Sequence, residues 1–99
     1  MTMILAIDQS TSATKALLFD TSGRLVDKTS LDHKQHYPRP GWVEHDAEEI
    51  WQNTLSVIKT IINRNAGAVA GLLCLSITNQ RETIVVFDRA TGEPLYRAI

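Results

Sequence analysis

Two polar stretches in this 99-residue chain follow directly on apolar runs, and both carry the residue types that phosphate and polyhydroxyl chemistry needs. The first, Asp8-Gln9-Ser10-Thr11-Ser12-Ala13-Thr14-Lys15, comes straight after Met3-Ile4-Leu5-Ala6-Ile7. A tight inter-strand turn of this composition can point backbone N–H groups and hydroxyls at phosphate oxygens. A carboxylate at the strand end can hold Mg2+ through its waters, because that ion dehydrates reluctantly. A plain polar hairpin is the alternative that the residues alone leave open, since Ser and Thr are common in turns. No G-x-x-x-x-G-K-[ST] stretch occurs, which excludes a P-loop.

The second stretch is Asn79-Gln80-Arg81-Glu82, after the apolar run Leu72-Leu73-Cys74-Leu75-Ser76-Ile77-Thr78. It sets an amide, a guanidinium and a carboxylate at a strand end, where ligands of open α/β sheets gather. Arg81 offers donors and Glu82 acceptors, which suits adjacent hydroxyls that each both donate and accept. The alternative is a solvated turn with an incidental Arg–Glu pair.

The remaining reactive side chains read as structural. His33, His36 and His45 lack the i, i+4 spacing of a metal site on one helix. Cys74, the single cysteine, lies in an apolar run and reads as a small buried hydrophobe. Trp51 falls on an apolar helix face and is expected in the core, while Trp42 is expected to pack under its Pro-rich loop. Glu44, Asp46, Glu48 and Glu49 form an acidic cluster suited to capping a helix and pairing with its dipole.

These residues need elements to position them. Residues 3–7 and 72–78 are continuous apolar runs, which predict strands buried on both faces. Ala16-Leu17-Leu18-Phe19 predicts a second strand, and Leu25, Val26 and Leu31 a third, more exposed one. Asp20-Thr21-Ser22-Gly23 supplies the turn between them, so the first three strands should form an antiparallel meander. His33 to Gly41, with Pro38 and Pro40, reads as loop. Asp46 then predicts a helix N-cap, with Glu49 closing a capping box. Ala47, Ile50, Trp51, Leu55, Ile58, Ile61 and Ile62 recur at helical spacing and predict a helix from Ala47 to Asn65. Thr83 to Phe87 and Pro94 to Ile99 predict the two strands of a closing hairpin, with its turn at Asp88 to Glu93. A helix crossing between strands implies a mixed sheet whose fourth strand runs parallel to a neighbour.

Composition excludes several function classes. With 43% hydrophobic and 21% charged residues the chain reads as one ordinary globular domain rather than a disordered one. A formal net charge of −1 gives no basic field for nucleic acid or anionic lipid. The longest apolar run, Ala68 to Leu75, is far too short to span a bilayer. Asp8 interrupts what would be a secretory signal core, so a cytoplasmic protein is the expectation.

Three segments, in order, resemble the FGGY carbohydrate kinase family, and within it the glycerol kinases. They are Asp8 to Lys15, Tyr37-Pro38-Arg39-Pro40-Gly41-Trp42-Val43-Glu44-His45-Asp46, and Ser76-Ile77-Thr78-Asn79-Gln80-Arg81-Glu82-Thr83. The first resembles the phosphate motif shared by sugar kinases, actin and heat-shock chaperones. The resemblance implies an α/β, ribonuclease H-like fold, here a mixed sheet with one long helix and only part of a first domain. It implies ATP and Mg2+ as cofactors, with Asp8 on the metal side and Ser10, Thr11, Ser12 and Lys15 along the nucleotide phosphates. It implies that Gln80, Arg81 and Glu82 bind the substrate, Arg81 and Glu82 hydrogen-bonding glycerol hydroxyls. Two positions depart from the family pattern, which usually has Gly where Ser10 stands and Arg where Lys15 stands. Ser restricts backbone approach, and Lys lacks the bidentate fork of Arg.

The activity implied is phosphoryl transfer from MgATP to glycerol, giving glycerol 3-phosphate, by a homo-oligomeric full-length parent acting on a small-molecule polyol or sugar. The family's catalytic base, an Asp much further along, and its second, adenine-binding domain have no counterpart in residues 1–99. The chain alone is therefore not expected to turn over substrate. Two other readings stay open: a family kinase for another polyol or ketose, and a non-catalytic actin- or chaperone-like relative, which would have no polyol for Arg81 and Glu82 to read.

Overall fold

The computed structural model describes residues 2–99. Strands β1 (Met3–Gln9), β2 (Ala13–Asp20) and β3 (Leu25–Asp32) come first, followed by the two-residue strands β4 (Gln35–His36) and β5 (Glu44–His45). Helix α1 (Ala47–Arg64), a 3-10 turn at Ala66–Gly71 and strand β6 (Leu72–Thr78) complete the regular elements. The four long strands form one sheet in the order β3-β2-β1-β6. The meander β1-β2-β3 is antiparallel and β6 lies parallel to β1, which is the mixed sheet the helix crossover predicts.

Local chemistry explains the joints. Asp20 Oδ1 accepts from the backbone N–H groups of Ser22 and Arg24 and from the Ser22 hydroxyl, closing the β2–β3 turn around Gly23 at φ +88°. The Ser22 hydroxyl and then the Arg24 N–H hold the Asp20 carboxyl down at about 2, with the Arg24 side chain and the Ser22 N–H lesser aids. Asp46 caps α1 by accepting from Glu48 N at 3.0 Å. The expected capping box does not close: Asp46 takes the Glu48 N–H rather than that of Glu49, and Glu49 Oε1 accepts instead from Lys34 N at 2.7 Å, tying the helix to the chain after β3. At the other end, Asn65 and a two-pronged Arg64 guanidinium grip Asp27 of β3, and the Asn65 contact is the main reason that carboxyl sits below its ordinary range.

The core lies between α1 and one face of the sheet. Met3, Leu5 and Ile7 of β1, Ala16 and Leu18 of β2, and Val57 and Ile61 of α1 are buried together, with Ile58 and Leu72 packed against them. Strand alternation puts Ile4, Ala6, Leu17 and Phe19 on the opposite face, where they remain half-buried. No helix among the described residues is long and apolar enough to cross a membrane.

Several sequence expectations fail, those for β6 because α1 covers β1 to β3 and leaves β6 beyond Leu72 uncovered. That strand is not buried on both faces; Leu73 is 65% and Ile77 60% exposed. Cys74, paired with Ile4 on the open face, is exposed rather than core. Trp51 is 54% exposed, because it stands to the side of the buried Thr54–Val57–Ile61 stripe, on a flank the sheet leaves uncovered. Trp42 is half-exposed with the Arg39 guanidinium 5.0 Å over its ring, so its partner is a cation rather than the underside of the loop. Residues 33–41 are not all loop, since β4 pairs with β5. The closing hairpin forms no strands. Its ladder reduces to the Phe87–Pro94 bridge and three backbone bonds, because Pro94 has no N–H to donate and Ile84 to Phe87 find no apolar surface. The Asp88 turn does form, with the carboxylate accepting from Ala90 N and Thr91 N.

The outer edge of β6 pairs with no strand among the described residues, and the strand carries no charged residue to deter one. With Leu73, Leu75 and Ile77 also open to water, the isolated chain is expected to self-associate or to melt early. Sedimentation velocity with a thermal melt checks this; a stable, cooperative monomer would show that the uncovered strand is tolerated.

Candidate functional site

Parallel pairing decides where the two polar stretches meet. Because β1 and β6 run the same way, their C-terminal ends stop side by side, with Asp8 opposite Thr78. The Thr78 hydroxyl donates to Asp8 Oδ1 at 3.2 Å. Beyond these ends opens a cleft of about 580 Å³, lined by Asp8 to Thr11 on one side and Thr78 to Glu82 on the other.

Six of the eight residues singled out in the sequence therefore share one cleft: Asp8, Ser10, Thr11, Gln80, Arg81 and Glu82. Ser12 and Lys15 do not line it. Ser12 is exposed, and its carbonyl accepts from His33 N at 2.8 Å. Lys15 stands on β2 opposite Asp8, on the same sheet face, but borders a separate shallow groove of about 390 Å³ with Leu17, Lys28, Thr29 and Ser30. Asn79 and Thr78 belong to the cleft and were legible only as neighbours of Arg81 in the quoted string.

The Asp8 side of the cleft is a closed turn. Ser10 N and Ser10 Oγ both donate to Ala13 O at 2.9 Å, so the Ser10 hydroxyl spends its proton inside the loop and faces a ligand as an acceptor. The turn rests on a polar layer missing from the residues first singled out. Gln9 Nε2 donates to Thr54 Oγ1 of α1, and the fully buried Thr14 hydroxyl donates to Gln9 Oε1 at 2.6 Å. His33 Nε2 lies 3.0 Å from that hydroxyl, and His45 Nε2 donates to Thr11 O at 2.9 Å. The one hint in the sequence is Thr54, a hydroxyl set in the apolar stripe of the helix.

On the opposite side, Glu82 holds φ +60°, the left-handed region that a non-glycine residue rarely occupies. Gln80 Oε1 is buried and has no hydrogen-bond partner among the described residues. A buried acceptor without a donor is costly unless something supplies one, and a ligand hydroxyl is chemically suited to do so. Two carboxylates, Asp8 and Glu82, and one guanidinium, Arg81, line the cleft. Such a cleft favours a neutral polyhydroxyl molecule, and admits phosphates only with a cation to offset their charge. No group of three or more His, Cys, Asp or Glu among the described residues can cage a metal. The single carboxylate of Asp8 fits a hydrated Mg2+ held mainly by water and phosphate oxygens.

Comparison with known proteins identifies the family and the fold. The profile described as the FGGY family of carbohydrate kinases, N-terminal domain, matches residues 3–99. A glycerol kinase of Bordetella pertussis is 55% identical over 97 residues, which span 97% of this chain and 19% of that protein. A crystal structure of Plasmodium falciparum glycerol kinase with ADP superposes with a TM-score of 0.91 at 42% identity, covering 100% of this chain and 20% of that one. A ligand-bound xylulose kinase from Lactobacillus acidophilus superposes at 0.88 with 22% identity, covering 100% of this chain and 19% of that one, a likeness of fold alone. The sheet and helix are thus those of sugar kinases, and the chain spans about one fifth of the length of the relatives it matches.

The left-handed backbone at Glu82 makes a separable prediction. Glu82→Gly relieves the strain and should raise stability by about 1 kcal/mol. If the Glu82 carboxylate reads a ligand hydroxyl, the same change should weaken polyol binding. Urea denaturation and polyol titration of one variant preparation measure the two effects; a gain in stability with polyol affinity unchanged would make Glu82 a turn residue only.

Proposed function

The chain belongs to the FGGY family of carbohydrate kinases, within its N-terminal domain, and from that premise we propose that the full-length protein transfers a phosphoryl group from MgATP to a terminal hydroxyl of glycerol, giving glycerol 3-phosphate. The observation that carries this reading is the meeting of Asp8 with Gln80, Arg81 and Glu82 in one cleft at adjacent strand ends. Phosphoryl transfer needs reactants held in line and charge offset where it develops, and little else from the protein.

Each residue takes a role that its position permits. Asp8 faces the metal and the transferring phosphate, while Ser10 and Thr11 present the turn to phosphate oxygens. Ser12 and Lys15 stand farther out, and they serve the phosphates if the nucleotide extends along the open sheet face past Asp8. Gln80, Arg81 and Glu82 hold the polyol: Arg81 donates, Glu82 accepts, and the buried Gln80 carbonyl accepts a hydrogen bond from a further hydroxyl. Bound Mg2+ offsets phosphate charge and orients the transferred group. The base for the attacking hydroxyl, further along the chain, and the adenine site, in a second domain, are assigned to parts of the full-length protein outside the fifth of its relatives' length that this chain spans.

A family kinase for another polyol or a ketose is the second reading, favoured by Ser10 and Lys15, where the glycerol kinase pattern has Gly and Arg. ATP-dependent phosphate transfer by the full-length protein across a panel of polyols and ketoses separates the two. Glycerol should give the highest kcat/KM, and a ketose preferred with glycerol inert overturns the substrate assignment. Arg81→Ala should raise KM for the polyol about 10- to 100-fold and KM for ATP far less, since a charged hydrogen bond to the ground-state substrate is lost. An unchanged polyol KM would leave Arg81 on the solvent side. Asp8→Asn should lower kcat by roughly 100-fold with little change in polyol affinity, because its charge acts where the transition state forms. Near-normal kcat at saturating Mg2+ would remove Asp8 from the metal side.

A further inference from the structure

Beneath the loop runs a one-way chain of hydrogen bonds that begins and ends on α1. Asn53 Nδ2 donates to Asp32 O at 3.2 Å and lies 3.1 Å from His33 Nδ1. The Asp32 carbonyl can only accept, so the Asn53 amide must point its NH2 group this way, and Nδ1 must be the bare nitrogen. His33 Nε2 then carries the proton and donates to Thr14 Oγ1, which donates to Gln9 Oε1. Gln9 Nε2 donates to Thr54 Oγ1, which donates to Ile50 O. The Thr14, Gln9 and Thr54 hydrogens each have one direction to go, and the Ala13 carbonyl of the loop is a second acceptor for the His33 ring. Gln9 and Thr14 bracket the Ser10–Ala13 turn, and the His33 backbone N–H also holds Ser12 O.

A second proton on His33 breaks this order. Nδ1–H would face the Asn53 NH2, donor against donor. Flipping the Asn53 amide to accept it would set Oδ1 against Asp32 O, acceptor against acceptor. We propose that His33 is a positioning residue for the Ser10–Thr14 loop, locking it through the neutral Nε2–H tautomer, and that protonation of His33 unlocks the loop.

The surroundings favour the neutral form. Burial holds the His33 imidazole below its ordinary value of 6.5, and His45 of β5 adds to the lowering; Glu49 of α1, the Ala13 carbonyl of the loop and Asp32 of β3 pull the other way. Between 6.5 and the lower folded value the unfolded chain carries the proton and the fold does not. Stability therefore falls as pH drops from 6.5 toward the folded value and levels off below it, where the locked loop has become the protonated one. That such unlocking weakens nucleotide binding rests on the function proposed above; the lock itself does not.

The full-length protein, labelled with 13C at His Cε1 and at Thr methyl groups, tests both and keeps them apart. On titration from pH 7.5 to 5, the Thr14 methyl signal should move with the His33 midpoint, below 6.5. ADP affinity should fall about tenfold with that midpoint, one lost hydrogen bond's worth. His33→Gln keeps a donor toward Thr14 without a titration, so the Thr14 shift and the acid loss of ADP affinity should vanish. Asn53→Asp sets a carboxylate against Nδ1 and should raise the midpoint by about half a unit or more. A Thr14 signal that ignores His33, a Thr14 acid shift that survives His33→Gln, or a midpoint unmoved by Asn53→Asp each overturns the lock, while an acid loss of ADP affinity that survives His33→Gln overturns its link to the nucleotide. Should His33→Gln fail to fold, the Asn53→Asp midpoint decides. Thr14 following His33 while ADP affinity stays flat would uphold the lock and remove the nucleotide reading instead.

Discussion

The parallel pairing of β1 with β6 is the constraint on which the rest of this structure depends. An antiparallel partner would have set the Asn79–Glu82 segment at the far end of the sheet from Asp8. The parallel one aligns Asp8 with Thr78, so both chains leave the sheet in the same direction and at the same level. Parallel neighbours need a long crossover, and α1 supplies it. The helix that completes the core is thus also what allows the two polar stretches to face one another.

The packing beneath the site follows from the same crossover. α1 buries Val57 and Ile61 against Leu5, Ile7 and Leu18, and its first turns lie under the β1–β2 turn. There the apolar stripe gives way to Asn53 and Thr54, which meet Gln9, Thr14 and His33. A polar layer at this depth is tolerable because each group in that run of bonds finds a partner. It turns a flexible Ser/Thr loop into one attached to a helix from below while its upper side stays open to the cleft.

The opposite sheet face and the edge of β6 are unfinished surfaces. Leu73, Leu75 and Ile77 have the composition of a core strand and the exposure of an edge strand. Kinases of the same family and fold are about five times longer than this chain, and the proposed activity needs a base and an adenine site beyond these elements.

Much was legible in the residues themselves. The meander, the helix from Ala47 and the parallel fourth strand follow from apolar periodicity, the Asp46 cap and the Asp20–Gly23 turn, all local in chain. The two reactive stretches were legible as well, because hydroxyls, a guanidinium and carboxylates at strand ends stand out against apolar runs. Only the tertiary structure decided what each surface meets. Periodicity says which side of an element is apolar; it does not say how wide its partner is, so Trp51 and, on β6, Leu73, Cys74, Leu75 and Ile77 read as core and stand in water. It says nothing of pairs distant in chain, so the support that His33, Asn53 and Thr54 give to a loop dozens of residues away is visible only after folding. The left-handed backbone at Glu82 and the unpartnered Gln80 carbonyl are likewise decided by how the chain leaves β6, a geometry that residue type alone does not encode.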